Sequence, residues 1–407
     1  MSLYRTTPPP SGRMGMLWAL STIRQAAVIE FGCMGHMAYG RTFLHRMGAM
    51  GGKLYSTHIH ETDIAMGDLT RLNQTVRQVI DENPVKVIFL LPSSIPEIIG
   101  VDLAAAATEL AVEYPDVQFI SFALGGFDVC SHKGVEQTLL TLVKEIAQET
   151  MRTVAPVYNI IGSCPDIFRF QSDAAEIRRI MRGVFDMECR CTMTSDTDIA
   201  DLRQLGCAHL NLVIRREGEA AAEYLYQRFG TPYVVARPYG IGGTVEWVRE
   251  IEKSCGFQPN EEFLCTEQDQ LLEQTAPIQM LLQRFIMVHP DRAVLTVSGH
   301  ADVVRGIIKY GQDQFGFQDG GCFCDCVSMA EADMPFLTDR LKAEIADSRR
   351  DFLMGSDELL QMAGKGPAMQ IANPDSSWRH PYEPPLMGFR GALHLAVLWA
   401  NEMMRID

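Results

Sequence analysis

The stretch KVIFLLP (86–92) is apolar without a break from Val87 to Leu91 and closes on a proline. A strand of a parallel sheet, buried on both faces, reads this way because neither face needs polar residues. VDLAAAATELAVEY (101–114) then takes up helical spacing, VQFISFAL (117–124) returns to a strand, and GVEQTLLTLVKEIAQET (134–150) is helical again. Ala26-Ala27-Val28-Ile29 is an earlier strand of the same kind. A second cycle starts at APVYNIIG (155–162) and runs to TVEWVREIEKSCG. A third starts at RAVLTVSG (292–299), continues through HADVVRGIIKYGQDQFG, ELLQMAGKG and AMQIANP, and ends on the helix-spaced GFRGALHLAVLWANEMMRI. Strand–helix alternation implies parallel sheets with right-handed crossovers. The pattern predicts an α/β chain of three doubly wound, Rossmann-like parallel-sheet domains. They span 1–150, 151–275 and 276–407, with a C-terminal helix in the last and a break in the acidic, Gln-rich segment 260–277.

Ligands on such sheets bind at the carboxyl ends of strands. That rule singles out the loop at Cys33, LPSSIPE (91–97), ALGGFDVCSHKG (123–134), GSCPD (162–166) and SGHAD (298–302).

Net charge changes the list of partners. At −15 over 407 residues, nucleic acid and anionic membrane surfaces are repelled. No apolar run reaches the roughly 20 residues of a membrane span, and the start, MSLYRTTPPPSGRMG, lacks an apolar signal core. A soluble, cytoplasmic protein is expected. The eleven cysteines then read as free thiols and metal ligands rather than a disulfide framework.

In EFGCMGH (30–36), Gly32 and Gly35 flank Cys33 and carry no side chains to hold a bulky group away from its sulfur. A thiolate there could ligate an iron–sulfur cluster; the alternative is a buried free thiol. In GGCFCDC (320–326), strand spacing would project Cys322, Cys324 and Cys326 from one face as three soft metal ligands. The spacing is not C-x₂-C, and a strand of small buried residues is the other reading. HIHETDIAMGD (58–68) gathers His58, His60, Glu61, Asp63 and Asp68, which a polar loop capping a helix near Asp68 explains as well as a metal would. No G-x-x-x-x-G-K-[ST] is present, so ATP hydrolysis is not expected of this chain. YGIGGT (239–244) lacks the full dinucleotide fingerprint, and no G-x-S-x-G surrounds Ser298 and His300.

Taken together, EFGCMGHMAYGRTFLHRMG, STHIHETDIAMGDLTRL and VIFLLPSSIPEIIGVDL, in that order, resemble the nitrogenase component 1 family, which includes dark-operative protochlorophyllide reductase and nickel-sirohydrochlorin reductive cyclase. HLNLVIRREGEAAAEYLYQRFGTPYVVARPYGIGGTVEWVREI resembles its middle domain, and FLMGSDELLQMAGKGPAMQIANPDSSWRHPYEPPLMGFRGA its last. The resemblance implies a nitrogenase component 1-like fold, pairing as a homodimer or with a sister subunit, and a 4Fe-4S iron–sulfur cluster between the paired chains. It also implies a separate ATPase iron protein as electron donor and a substrate in the cleft among the domains. Cys33 matches the middle of the family's three cluster cysteines; the first falls near Ser11 and the third at Ser94. Each chain therefore offers one matched thiolate. The remaining ligands would come from a second chain, from His36 or Ser94, or from Cys130. Arg215 stands where the family's cofactor cysteine would be, and the cofactor histidine falls near Trp378, two residues from His380.

The expectation is a reductase component that acts on a small molecule or a tetrapyrrole rather than dinitrogen. His36, His132, Arg215 and His380 are the candidates to donate protons or bind acidic groups. The alternatives are a scaffold or carrier for a metal cluster, drawing on Cys322, Cys324 and Cys326, and a cluster-free structural subunit.

Overall fold

Val87–Pro92 is a strand buried along its whole length, and it is the hub of a four-stranded parallel sheet. The structure, a computed structural model, describes residues 9–404 except 34, 36, 39, 42, 43, 45–52, 99, 124–129, 196, 291, 292, 348–351, 365 and 373–382. The first sheet has β1 (Ala26–Phe31), β2 (Lys53–Ser56), β3 (Val87–Pro92) and β4 (Gln118–Ser121) in the order β2-β1-β3-β4. The second has β5 (Val157–Ile161), β6 (Glu188–Thr192), β7 (Leu210–Val213) and β8 (Tyr233–Val235) in the order β6-β5-β7-β8. The third has β9 (Val294–Gly299), β10 (Gln318–Cys324), β11 (Phe352–Ser356) and β12 (Ala368–Ala372) in the order β10-β9-β11-β12.

All three sheets share one permutation, and every strand pair is parallel. The chain winds outward one way from the first strand of each sheet, then the other way from the third. A crevice opens at the carboxyl ends where the direction reverses. The loops that meet there follow β1 and β3, β5 and β7, and β9 and β11.

The middle sheet anchors the other two. One apolar cluster joins Val28, Leu91 and Leu139 to Ile161, Val213 and Leu225. A second joins Ile160, Ile180 and Trp247 to Val297, Ile307 and Trp399. The outer face of the first sheet has its own cluster around Ile29, Val76 and Leu110. Segment 260–277 is helical: it forms the first part of the helix Glu261–Val288, whose first turn is capped by Asn260 Oδ1 accepting from the Phe263 N–H at 3.1 Å. Its Glu, Gln and Leu residues are good helix formers, which explains the continuity through Pro277. The C-terminal helix Gly388–Met404 packs on that helix and on the helices Gly240–Cys255 and Phe170–Phe185. Among the described residues no helix is long and apolar enough to cross a membrane.

Candidate functional site

The loops after β5 and β7 come together over one glycine. Gly162 has φ +100°, and a Cβ there would meet Arg215 Cγ at 2.4 Å. Arg215 lies in that gap, fully buried. Its Nη1 and Nη2 fork onto Asp166 Oδ1 and Oδ2 at 2.7 and 2.9 Å, and its Nε donates to Glu217 Oε2 at 2.9 Å. Burial works against a buried cation, but the Asp166 and Glu217 carboxylates outweigh it and hold the guanidinium charged.

The first domain adds His132, on the first turn of the helix Ser131–Glu145. Its Nδ1 lies 2.6 Å from Glu217 Oε1 and its Nε2 lies 3.3 Å from Asp325 Oδ1. A ring with a carboxylate on each nitrogen donates from both, so it is an imidazolium. Burial lowers its pKa, yet the hydrogen bonds and charges of Asp325 and Glu217 outweigh burial and push it up to about 10.

The third domain adds His300, which follows β9 and caps the helix Ala301–Tyr310. Its Nδ1 accepts the Asp302 N–H at 3.2 Å, so the ring proton is on Nε2, which donates to Glu217 Oε1 at 3.0 Å. Asp302 in turn receives Arg216 at 3.0 Å and Arg237 at 2.5 Å. Glu217 thus collects donors from all three domains. Burial raises its pKa, but Arg215 and both histidines outweigh that and hold it well below the carboxylate range.

The ligating atoms of His132, Glu217 and His300 lie within 4.8 Å of one another, which is a two-histidine, one-carboxylate donor set. Their protonation does not suit a metal. Both nitrogens of His132 carry protons, His300 Nδ1 is taken by a backbone N–H, and Arg215 Nη2 stands 3.3 Å from His132 Nδ1. The group is a proton-holding network. A small buried cavity of about 10 Å³, large enough for a single water, lies beside it and is lined by Ser163, Phe170, Asp173, Arg215, His300 and Met387. Burial pushes the Asp173 carboxyl up to about 7 although its Oδ1 accepts the Leu386 and Met387 N–H groups at 2.7 and 3.0 Å. Asp173 Oδ2 meets no hydrogen-bond partner among the described residues. The Arg215 fork and the His300 Nε2–H that border the cavity are already engaged by Asp166 and Glu217, whereas Asp173 turns an unpartnered carboxyl oxygen inward.

The cysteines fall into separate places. Cys33 is half-buried just past β1, and Ser94 opens a short helix just past β3. Each lies two residues beyond the registered pair Phe31–Pro92, at the crevice of the first sheet. Gly32 is required by packing: a Cβ there would meet Ser93 Cβ and Oγ at 2.4 Å, whereas one at Gly35 would meet nothing. Cys130 is buried at the N-cap of the helix Ser131–Glu145, 3.0 Å from Cys326 Sγ.

Cys322 and Cys324 share a face of β10, packed against one apolar cluster while Phe323 packs against another, but β10 ends at Cys324 and the three sulfurs turn to different partners. Cys324 Sγ donates to the Cys326 carbonyl at 3.2 Å, Cys326 Sγ turns to Cys130, and burial pushes Cys322 up to about 11. A protonated thiol is a poor metal ligand. Segment 58–68 contains a short helix, Glu61–Met66, and leads into the helix Thr70–Glu82: Asp68 Oδ1 accepts the Thr70 N–H at 2.8 Å and Asp63 pairs with Arg71. His36 and His380 lie outside the described residues.

Of the sequence candidates, His132 and Arg215 meet in one network. Asp166, Glu217, Asp302 and Asp325 were missed. Strand-end position flags the loops that carry Asp166 and Asp302, but nothing local to NLVIRREGE marks Glu217 as the centre.

A family model described as nitrogenase component 1 type oxidoreductase matches residues 11–404. A light-independent protochlorophyllide reductase subunit from Chlorobium luteolum is 29% identical over 190 residues, covering 46% of this chain and 35% of that protein. The corresponding protein from Jannaschia sp. is 25% identical over 354 residues, covering 81% and 64%. The chain thus spans between about a third and two thirds of the length of these curated relatives. A solved structure of nitrogenase Cp1 at pH 6.5 superposes with a TM-score of 0.79 at 16% identity, over 100% of this chain and 94% of that one. That likeness speaks to the fold.

Proposed function

The chain belongs to the nitrogenase component 1-type oxidoreductases, and from that premise we propose that it is a nitrogenase-like reductase component. A partner ATPase iron protein delivers electrons, an iron–sulfur cluster at the junction of two chains receives them, and a small molecule or a tetrapyrrole is reduced in the cleft among the three domains. The observation that carries this reading is the half-buried thiol of Cys33, on the loop after β1, at the same crevice of the first sheet as the loop after β3 that carries Ser94. The donor set fits half of such a site. One thiolate and one hydroxyl from this chain cannot complete a cubane, so a second chain must supply the rest.

When bound, the cluster would supply single electrons at the chain junction. This chain's own residues position and protonate. Arg215, paired with Asp166 and Glu217, fixes the floor against which the three domains meet. Asp173, near half-protonation at neutral pH, delivers a proton from the cavity wall. Met387, Phe170 and Ile214 exclude bulk water. The protochlorophyllide reductases among the relatives favour a tetrapyrrole. The carrier reading has less support, because among the described residues Cys322, Cys324 and Cys326 form no group of converging ligand atoms.

Iron and acid-labile sulfide, measured on anaerobically purified protein, test the proposal. Stoichiometric iron that is lost in Cys33→Ser supports it. Iron that survives Cys33→Ser, or no iron in the unaltered chain with its partner chain present, overturns it.

A further inference from the structure

Cys130 and Cys326 come from different domains and are 196 residues apart in sequence, yet their sulfurs are 3.0 Å apart. That is about an ångström beyond a covalent S–S bond of about 2.05 Å. Neither is bridged. Ser328 Oγ stands 3.0 Å from one and 3.1 Å from the other. Cys130 is at a helix N-cap, a position that favours a thiolate. Donors from Cys326, Ser328 and the Lys133 N–H, with His132 close by, outweigh burial and bring it down to about 5. Cys326 keeps its proton, because it gives that hydrogen bond to Cys130. Val327 and Ser328, the next residues along, are exposed, so the pair lies one residue below solvent.

We propose that Cys130 and Cys326 form a thiol–disulfide exchange site that takes a low-molecular-weight disulfide as its oxidant and closes into a covalent bridge between the first and third domains. Cys130 Sγ attacks one sulfur of the reagent, RSSR; the reagent's S–S bond breaks and RS⁻ leaves with the proton that Cys326 gives up. Cys326 Sγ, now a thiolate, then attacks Cys130 Sγ, and the second RS group leaves as RS⁻. The Cys130 thiolate and the Cys326 thiol together lose two electrons and one proton, and RSSR becomes RSH and RS⁻, the latter taking a proton from water. The bridge runs beside the His132–Asp325 hydrogen bond, one residue from Asp325 and two from His132. Its closure therefore fixes the spacing of the two domains that clamp Glu217. Cys33 takes no part.

The full chain is incubated anaerobically with oxidised glutathione, blocked with N-ethylmaleimide, digested without reductant and analysed by mass spectrometry. The expected product is a linked peptide pair containing Cys130 and Cys326, reversed by dithiothreitol, with a raised unfolding midpoint. In Cys326→Ser, glutathione stays trapped on Cys130; in Cys130→Ser, Cys326 remains open to alkylation. Glutathione that persists on Cys130 in the unaltered chain, or a linked pair that forms only after denaturation, overturns the proposal, as does the absence of any linked pair. Bound iron reports separately on Cys33, so the two proposals fail independently.

Discussion

Arg215 Nη2 and His132 Nδ1 stand 3.3 Å apart, two cationic groups in contact inside the protein. Glu217 makes the contact tolerable, because it accepts from both at 3.1 and 2.6 Å. Asp166 and Asp325 take up the outer side of each cation. The arrangement holds two domains against the middle one through a single carboxylate.

Removing that carboxylate leaves two buried cations facing each other. Glu217→Ala is expected to destabilise the protein by about 3–5 kcal/mol, the cost of breaking a buried ion pair from one side. Glu217→Gln keeps the shape and loses the charge, so it falls between that variant and the parent. Chemical denaturation of the three proteins under one buffer checks the order.

The network also sets a pH dependence. The pKa of His132 rises from 6.5 to about 10 on folding. A group with a raised folded value stabilises fully below its unfolded pKa and loses that contribution as pH climbs through the folded one. Stability from His132 is therefore lost between about pH 6.5 and 10. Cys130, whose pKa is lowered by the hydrogen bond from Cys326, runs the other way: its contribution is lost as pH falls. Subtracting His132→Gln from the parent isolates the histidine. The unfolding midpoint of the parent should fall toward that of the variant as pH rises from 6.5 to 10; parallel curves would count against the imidazolium.

How much of this was legible in the sequence depends on range. The unbroken apolar run Val87–Leu91 announces a buried parallel strand because burial on both faces is a local demand, and β3 is that strand. The short β2, KLYS, is half exposed and carries no such signal. The strand-end rule finds the loops of Asp166 and His300, since connectivity alone brings those ends to a crevice. It cannot find Glu217, whose role comes from His132 and His300 arriving from 85 and 83 residues away. The spacing of Cys322, Cys324 and Cys326 misleads for a related reason: the alternation holds for Cys322 and Cys324, but β10 ends at Cys324 and Cys326 follows the chain away from the strand toward Cys130.

Gly162 should be sensitive out of proportion to its size. At φ +100° any other residue is strained, and a Cβ would enter the Arg215 side chain at 2.4 Å. Backbone strain alone costs about 1–3 kcal/mol, and displacing Arg215 disturbs its fork on Asp166. Gly162→Ala is expected to destabilise by more than the strain term. Gly242→Ala, whose Cβ meets open space in a helix, should be neutral or slightly stabilising in the same thermal melt.

The crevice of the first sheet gives a test that avoids touching Cys33 itself. Gly32 lies so close to Ser93 that an added methyl would meet the serine Cβ and Oγ at 2.4 Å. Both loops are otherwise pinned: the Gly32 N–H donates to Thr57 Oγ1 at 3.1 Å, and the Ser93 N–H donates to the Phe31 carbonyl at 3.0 Å. With the backbone fixed on both sides, Gly32→Ala must push the loop carrying Cys33 away from the one carrying Ser94. Iron bound per chain should drop in Gly32→Ala although every thiol is intact. The double variant Gly32→Ala with Ser93→Gly removes the clash and should recover most of the iron. Recovery measures a coupling between the two loops that independent sites lack. If iron falls in the single variant and stays low in the double, the two loops do not act through their contact, and Cys33 depends on something other than its fit against Ser93.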